Sequence, residues 1–237
     1  MIQTEGIFVG GSAISAPIIG EDFNWTGGDG TYQVLDDGGG NWRIKFLSSG
    51  TFTPLKNMVV DAFLVGGGGG AGSSYCGEGG AGYTTTVRSI VLTANTAYSI
   101  VVGAAGTNGN PSSAGGKTTA FTASAAGGKN TSNGTSSSKR PGGAGGSGGA
   151  GYVSPVATTT GGTDGGDGTS SATTGGKGQG TTTREFGEAD GTLYASGGGS
   201  NLTATVSNSG NGGRNGITSI EPADGIVVIR QHKEVAA

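Results

Sequence analysis

PGGAGGSGGAG, residues 141–151, puts two glycines in every three residues and then stops. In an extended helix of three residues per turn, such a triplet gives each position its own face: Ala144, Ser147 and Ala150 on one, bare backbone on the other two. That conformation makes no internal hydrogen bonds, so its N–H and C=O groups need partners on neighbouring segments. Only glycine lets those segments approach closely. The stretch therefore predicts a body made of main chain, with the residues between glycine blocks as its loops.

Similar blocks recur between Gly103 and Gly225: GGKNTSNGTSSSKR, GGTDGGDGTSSATTGGKGQG, ASGGGS and SGNGGRNG. Taken alone, this composition reads as a linker or disordered tract. The apolar stretch IVVIR (226–230) returns after them, however, so the chain has to close a core begun more than a hundred residues earlier. Across all 237 residues there are 55 Gly and 6 Pro, which excludes a collagen triple helix. Hydrophobic residues make up 32%, too few for an ordinary globule of this length to be held by side chains alone.

The remaining runs read as strands. GIFVG (6–10), TYQVL (31–35), NWRIKFL (41–47), TFTPL (51–55), NMVVDAFLVG (57–66), TTTVRSIVL (84–92), AYSIVVG (97–103), KTTAFTA (117–123) and GIVVIRQH (225–232) are rich in β-branched and aromatic residues and bounded by turn formers. Between Val59 and Val65 both faces are apolar, Val59, Phe63 and Val65 on one and Val60, Ala62 and Leu64 on the other, so this strand belongs inside the core. No window carries helical periodicity with caps.

Net charge is −3 with 13 scattered basic residues, which argues against nucleic acid and anionic membrane surfaces as partners. The first residues, MIQTEGIFVGGSAISAPIIGEDF, lack a basic n-region, and no run reaches the ~18 apolar residues of a membrane span. Cys76 stands alone, which rules out an internal disulfide framework and suits an inert thiol.

Several motifs invite other chemistry. Gly67, Gly69 and Gly72 fit the first half of a dinucleotide fingerprint, but no helix and no acidic residue follow at the required places. Gly116-Lys117-Thr118 ends like a phosphate-binding loop, yet Pro111 occupies the position of its first glycine. Asp164 and Asp167 faintly resemble a calcium-binding turn and are expected to be solvated, so neither a metal nor a cofactor is assigned. His232 follows the last strand, where a surface position is expected. Glu185, Glu188 and Asp190 have the residue types of a glycosidase pair, without a rigid element to set their separation.

WRIKFLSSGTFTPLKNMVVDAFLVGGGGGAG, followed by AYSIVVGAAG, GGKTTAF and DGIVVIR, resembles the glycine-rich domain of phage and prophage tail fibres over about residues 50–230. The glycine blocks are similar to the polyglycine-II core of long-tail-fibre tip adhesins. The resemblance implies an all-β chain with almost no α-helix: a small β-sandwich or sheet base (51–123 and 225–232) carrying a polyglycine-II helix bundle (about 66–82 and 103–216). Residues 1–50 would form an N-terminal β attachment or oligomerisation segment, and 51–237 the receptor-binding domain. It further implies a virion protein, a tail fibre tip made in the bacterial cytoplasm without a signal peptide, whose partners are a bacterial surface glycan or outer-surface protein and the rest of the fibre. Phe8, Phe23, Trp25, Tyr32 and Trp42 offer apolar surface for a homotrimer, a monomer capping a trimeric fibre being the alternative.

Recognition on a scaffold of bare glycine has to come from the loops. SSYCGE (73–78), NTSNGTSSSKR (130–140), YVSPVATTT (152–160) and TTTREFGEADGTLY (181–194) qualify. Tyr75, Tyr152, Phe186 and Tyr194 have faces that stack on sugar rings, while Arg140, Arg184, Glu185 and Asp190 grip hydroxyls. A purely structural extracellular protein and a surface-polysaccharide depolymerase remain as other functions.

Overall fold

The computed structural model describes residues 22–28, 30–38, 40–134, 140–152, 167–168, 183–199, 202–203, 205–214 and 220–231. Within these the chain is all-β. Its strands are β1 (Phe23–Trp25), β2 (Tyr32–Gly38), β3 (Asn41–Phe46), β4 (Gly50–Pro54), β5 (Met58–Val65), β6 (Thr84–Leu92), β7 (Tyr98–Val101), β8 (Thr118–Ala120), β9 (Ala123–Ala125) and β10 (Ile226–Gln231). They form two antiparallel sheets, ordered β1-β4-β7-β8-β9 and β2-β3-β10-β5-β6. The strand runs of the sequence recur here, with β1 added and KTTAFTA split in two by a turn at Phe121, whose φ is +55°. GIFVG lies outside the described residues.

Alternation along the strands makes the core. Phe23, Phe52, Ile100 and Ala120 of the first sheet share one apolar cluster with Trp42, Ile44, Phe46, Val60, Ala62, Leu64, Val227 and Ile229 of the second. On β5 the odd residues Phe63 and Val65 point the other way, into a second cluster with Val228, Phe186 and Tyr194. The strand with two apolar faces is thus buried on both from Val60 to Val65, while Val59, expected inside with them, is exposed.

The segment up to residue 50, read from sequence as an attachment piece, supplies β1 to one sheet and β2 and β3 to the other. Its aromatic residues correct the expectation of an oligomer surface. Phe23 and Trp42 are buried in the core, and Trp25 and Tyr32 pack against it, because alternation turns them inward. Phe8 lies outside the described residues.

Beyond the sheets the chain runs out and back in glycine-rich arms that bond sideways. Along the first arm, Gly66 N–H donates to Tyr83, Gly67 to Gly116, Gly68 to Ala223, Gly69 to Gly80 and Gly70 to Ser113, at 2.8–3.0 Å. Every third donor thus returns to the same neighbour. The carbonyls keep the same rhythm towards other neighbours: Gly67 accepts from Gly128, Gly68 from Gly106, Gly69 from Gly213 and Gly70 from Thr131. The arm 78–83 repeats the pattern, its donors running in turn to Ala150, Gly213, Lys129, Ser147, Gly210 and Ala126. Each arm is surrounded by others and satisfied by them, as buried backbone requires.

The glycines are needed here for space. A Cβ on Gly67 would overlap the Ala104 carbonyl oxygen, and one on Gly68 that of Asn211. Neither residue has a left-handed φ.

PGGAGGSGGAG itself departs from the single straight helix its period suggests. Gly149 N–H donates to Gly143 C=O at 2.9 Å, whereas six residues of a three-per-turn helix would put them roughly 19 Å apart. The chain reverses near Gly145–Ser147, and the two halves lie side by side against arm 78–81. Ser147 and Ala150 are consequently buried.

Candidate functional site

The bond registers place the loops. Arm 77–83 runs antiparallel to 66–70, and 126–131 runs parallel to 66–70, so the turns within 72–77 and 107–113 open at the end remote from the sheets, where residues 131–134 also lie. Asn108 Nδ2 donates to the Arg214 and Ile220 carbonyls at 3.3 and 3.0 Å, which brings those two residues to the same end.

Three of the sequence-derived site residues meet there. Tyr75 and Tyr152 lie edge to face, with ring centroids 5.8 Å apart and planes at 67°. Tyr75 is 46% exposed. Arg140 and Tyr152 exchange both backbone hydrogen bonds, at 3.2 and 2.7 Å.

The turn carrying Tyr75 is pinned from below. Asn133 Oδ1 accepts the Ser73 N–H at 2.7 Å, Asn133 Nδ2 donates to Ser73 Oγ at 3.0 Å, and Thr131 Oγ1 both accepts from Gly72 N–H and donates to Gly77 C=O. Tyr75 itself holds a φ of +47°, a strained conformation for a non-glycine residue that persists only where its surroundings impose it. Cys76 sits beside it, half-buried, its Sγ donating to the Gly72 carbonyl at 3.0 Å. Burial and the neighbouring Glu78 charge push its thiol up to about 11, which keeps it protonated and unreactive at neutral pH.

The other five sequence-derived residues form a clasp over the outer face of the second sheet. Glu185 is 1% exposed and Phe186 2%, and Tyr194 is also buried. The expectation that they form a free recognition loop is therefore corrected. Glu185 is held by Arg43 at 2.5 Å and Lys45 at 3.2 Å, and accepts the Tyr194 hydroxyl at 3.2 Å. That burial, followed by the Glu185 charge and hydrogen bond, raises the Tyr194 phenol above its ordinary range. Phe186 packs on Phe63 and lies beneath the Arg230 guanidinium, 4.2 Å from the ring centre. Arg184 Nη1 donates to the Gly191 carbonyl within the clasp, and Asp190 alone of the five is exposed.

Asp61 anchors the same face. It is buried in β5 and receives Arg230 at 3.2 Å, Arg88 at 3.1 Å and the Ser89 N–H at 3.1 Å. Arg88 and Ser89 both face it, because the β5–β6 register slips between Val60 and Ala62 and Ser89 turns left-handed at φ +57°. Glu188 completes the network on Arg230 at 2.7 Å. Of the three carboxylates that had the residue types of a glycosidase pair, Glu185 and Glu188 are thus engaged in ion pairs, and Asp190 is exposed. One signal in the sequence pointed here: Asp61 and Arg230 interrupt strands that are otherwise apolar, and a charge in such a strand demands a partner.

The fingerprint glycines hold no phosphate cradle, because Gly67, Gly69 and Gly72 spend their N–H groups on Gly116, Gly80 and Thr131. Among the described residues, no three metal-ligating side chains cluster. Asp164 and His232 lie outside the described residues.

The sequence model of a family described as a glycine-rich domain matches residues 47–230. The match begins just after β3, although β1, β2 and β3 complete the same two sheets. No curated protein matches the chain.

Proposed function

The chain belongs to the glycine-rich domain family, and we propose that it is the receptor-binding tip of a phage or prophage tail fibre, recognising a bacterial surface glycan or outer-surface protein. One observation carries this reading: the arm loops open together at the end remote from the sheets and present there the exposed Tyr75 beside Tyr152 on a pinned turn. An exposed aromatic face held rigid gives large contact area at little entropic cost. Arg140, bonded to Tyr152 through the backbone, adds the donors that grip hydroxyl, carboxylate or carbonyl oxygens.

The purified protein is offered to whole cells of a panel of bacterial species. On the species it binds, Tyr75→Ala with Tyr152→Ala weakens adsorption at least tenfold, about 1.4 kcal/mol, and leaves the melting temperature within a degree or two. Unchanged adsorption by that double variant overturns the assignment of the site. Binding to no species overturns the function.

The same proposal includes the conformation of the arms as polyglycine-II helices packed side by side. Its support is the three-residue period with which donors and acceptors of 66–70 and 78–83 return to the same neighbours, the period of a three-per-turn helix. Backbone chemical shifts for Gly66–Gly70 near φ −75° and ψ +145° are the expected result, and shifts of a mixed-turn backbone would contradict it.

A further inference from the structure

Arg43, Arg88 and Arg230 pair with carboxylates on the outer face of the second sheet, while Arg184 and Arg214 donate to the Gly191 and Leu202 carbonyls. Arg140 is the remaining arginine of the sequence. Its Nε–H is buried without a hydrogen-bond partner, and among the described residues only its backbone is bonded, to Tyr152. A buried donor left unpaired costs stability, and in a native fold such a group calls for a reason.

This orphaned donor stands beside the aromatic pair at the loop end. A Cβ on Gly134 would lie 2.7 Å from the Tyr75 carbonyl oxygen, 2.8 Å from Arg140 Nε and 3.0 Å from Arg140 Cγ, so the arginine stem crosses bare glycine next to the Tyr75 turn. Gly134 N–H donates to the Ser74 carbonyl at 3.1 Å, which ties that glycine to the same turn. Tyr152 follows through its two backbone bonds to Arg140, with its ring edge to face against Tyr75. A cation without a counter-ion and an exposed aromatic ring thus share one patch, built of Tyr75, Gly134, Arg140 and Tyr152.

Resting on the reading of this end as the receptor site, we propose that the patch takes a carboxylated sugar, a uronic or sialic acid residue of a surface glycan. Its carboxylate meets the Arg140 guanidinium and the apolar face of its ring lies on Tyr75. The planar fork of an arginine matches a carboxylate with two parallel N–H donors. No bond has to break for the Arg140 side chain to turn towards a ligand, and turning gives the orphaned N–H an acceptor. One free cation balances the single charge of a carboxylate, whereas a phosphate monoester carries about −1.5 to −2 at neutral pH. A neutral sugar gains the aromatic contact alone.

The test titrates the full chain with methyl glucuronide and with methyl glucoside, which differ only in a carboxylate against a hydroxymethyl group, and follows the Tyr75 and Tyr152 rings and the Arg140 Nε–H by NMR. The glucuronide binds at least tenfold more tightly than the glucoside and alone shifts the Arg140 Nε–H. Arg140→Met brings the glucuronide down to the level of the glucoside, and the melting temperature does not fall, because the variant removes an unpaired donor. Equal affinities in the parent overturn the proposal, and so does a preference that survives Arg140→Met, tighter binding of a glucose phosphate, or binding of neither sugar. Whole-cell adsorption separates this failure from that of the receptor site. Adsorption that needs Tyr75 and Tyr152 but is unchanged by Arg140→Met and by excess glucuronide removes the carboxylated sugar and leaves the site standing. Adsorption that needs neither tyrosine removes both.

Discussion

The sheet base and the glycine body solve one problem by opposite means. The base hides Phe46, Phe52, Ile44 and Leu64 between two sheets, and apolar area removed from water stabilises it at roughly 25 cal/mol per Å². The body hides backbone. Its glycines have almost no apolar side chain to bury, and each one ordered costs about 0.5–1 kcal/mol more than alanine would. Against that cost stand hydrogen bonds from each arm to several neighbours, each worth about 1 kcal/mol net. A side-chain core tolerates a lost methylene, because neighbours relax around it. A main-chain core has no soft atoms to move.

This difference predicts which substitutions break the molecule. Gly68→Val has the largest effect: its Cβ overlaps the Asn211 carbonyl oxygen, and we expect no soluble folded protein. Gly68→Ala lowers stability by more than about 3 kcal/mol, the upper end for overpacking a core. In the base, the larger truncation Phe46→Ala costs about 3–5 kcal/mol and leaves a cooperative denaturation curve. A denaturant series on the three variants checks the order, which reverses if the body is a loosely tethered tract.

The clasp tests the seam between the two. Asp61→Asn leaves Arg230 buried with a weaker partner and lowers stability by about 3 kcal/mol, within the range for a broken buried pair. Urea midpoints of this variant beside the parent measure it, and a loss below about 0.5 kcal/mol would show that Arg230 relies on Glu188 alone.

Alkaline pH acts on the same seam and on the loop end more gently. The folded protein holds the Cys76 thiol and the Tyr194 phenol neutral at pH values where the unfolded chain releases their protons. Their contribution is complete below about pH 9 and lost as pH rises, the Cys76 part between its ordinary 9.0 and about 11 and the Tyr194 part from 10.0 upward. Urea midpoints measured from pH 8 to 11 should fall, less steeply in Tyr194→Phe and Cys76→Ser. A flat profile in the parent would show that neither group is shielded.

Much of the base was legible, because TTTVRSIVL and NMVVDAFLVG alternate as β-branched strands do and end on turn residues. β1 was missed since FNW is three residues long and offers no alternation to read. The two-faced character of β5 was visible in Val59–Val65 and proved decisive for its place. The reversal inside PGGAGGSGGAG was illegible, because Gly145-Gly146-Ser147 continues the triplet unbroken and a turn of glycines needs no special residue. The clasp was read as a free loop for a different reason. Glu185, Phe186 and Tyr194 find their partners in Arg43, Lys45 and Phe63, more than 120 residues away, and no local pattern carries that information. Tyr75, Arg140 and Tyr152 were singled out as candidates because aromatic and cationic residues are scarce between glycine blocks, so the few present stand out.

Native-state hydrogen exchange at Gly66–Gly70 tests most directly whether the body is a core built of main chain. If it is, these amides are protected to the same free energy as Val228 in the centre of the second sheet, and they open only with global unfolding. Exchange of Gly66–Gly70 within minutes, while Val228 stays protected, would show instead that the sheets fold alone and the arms merely hang from them.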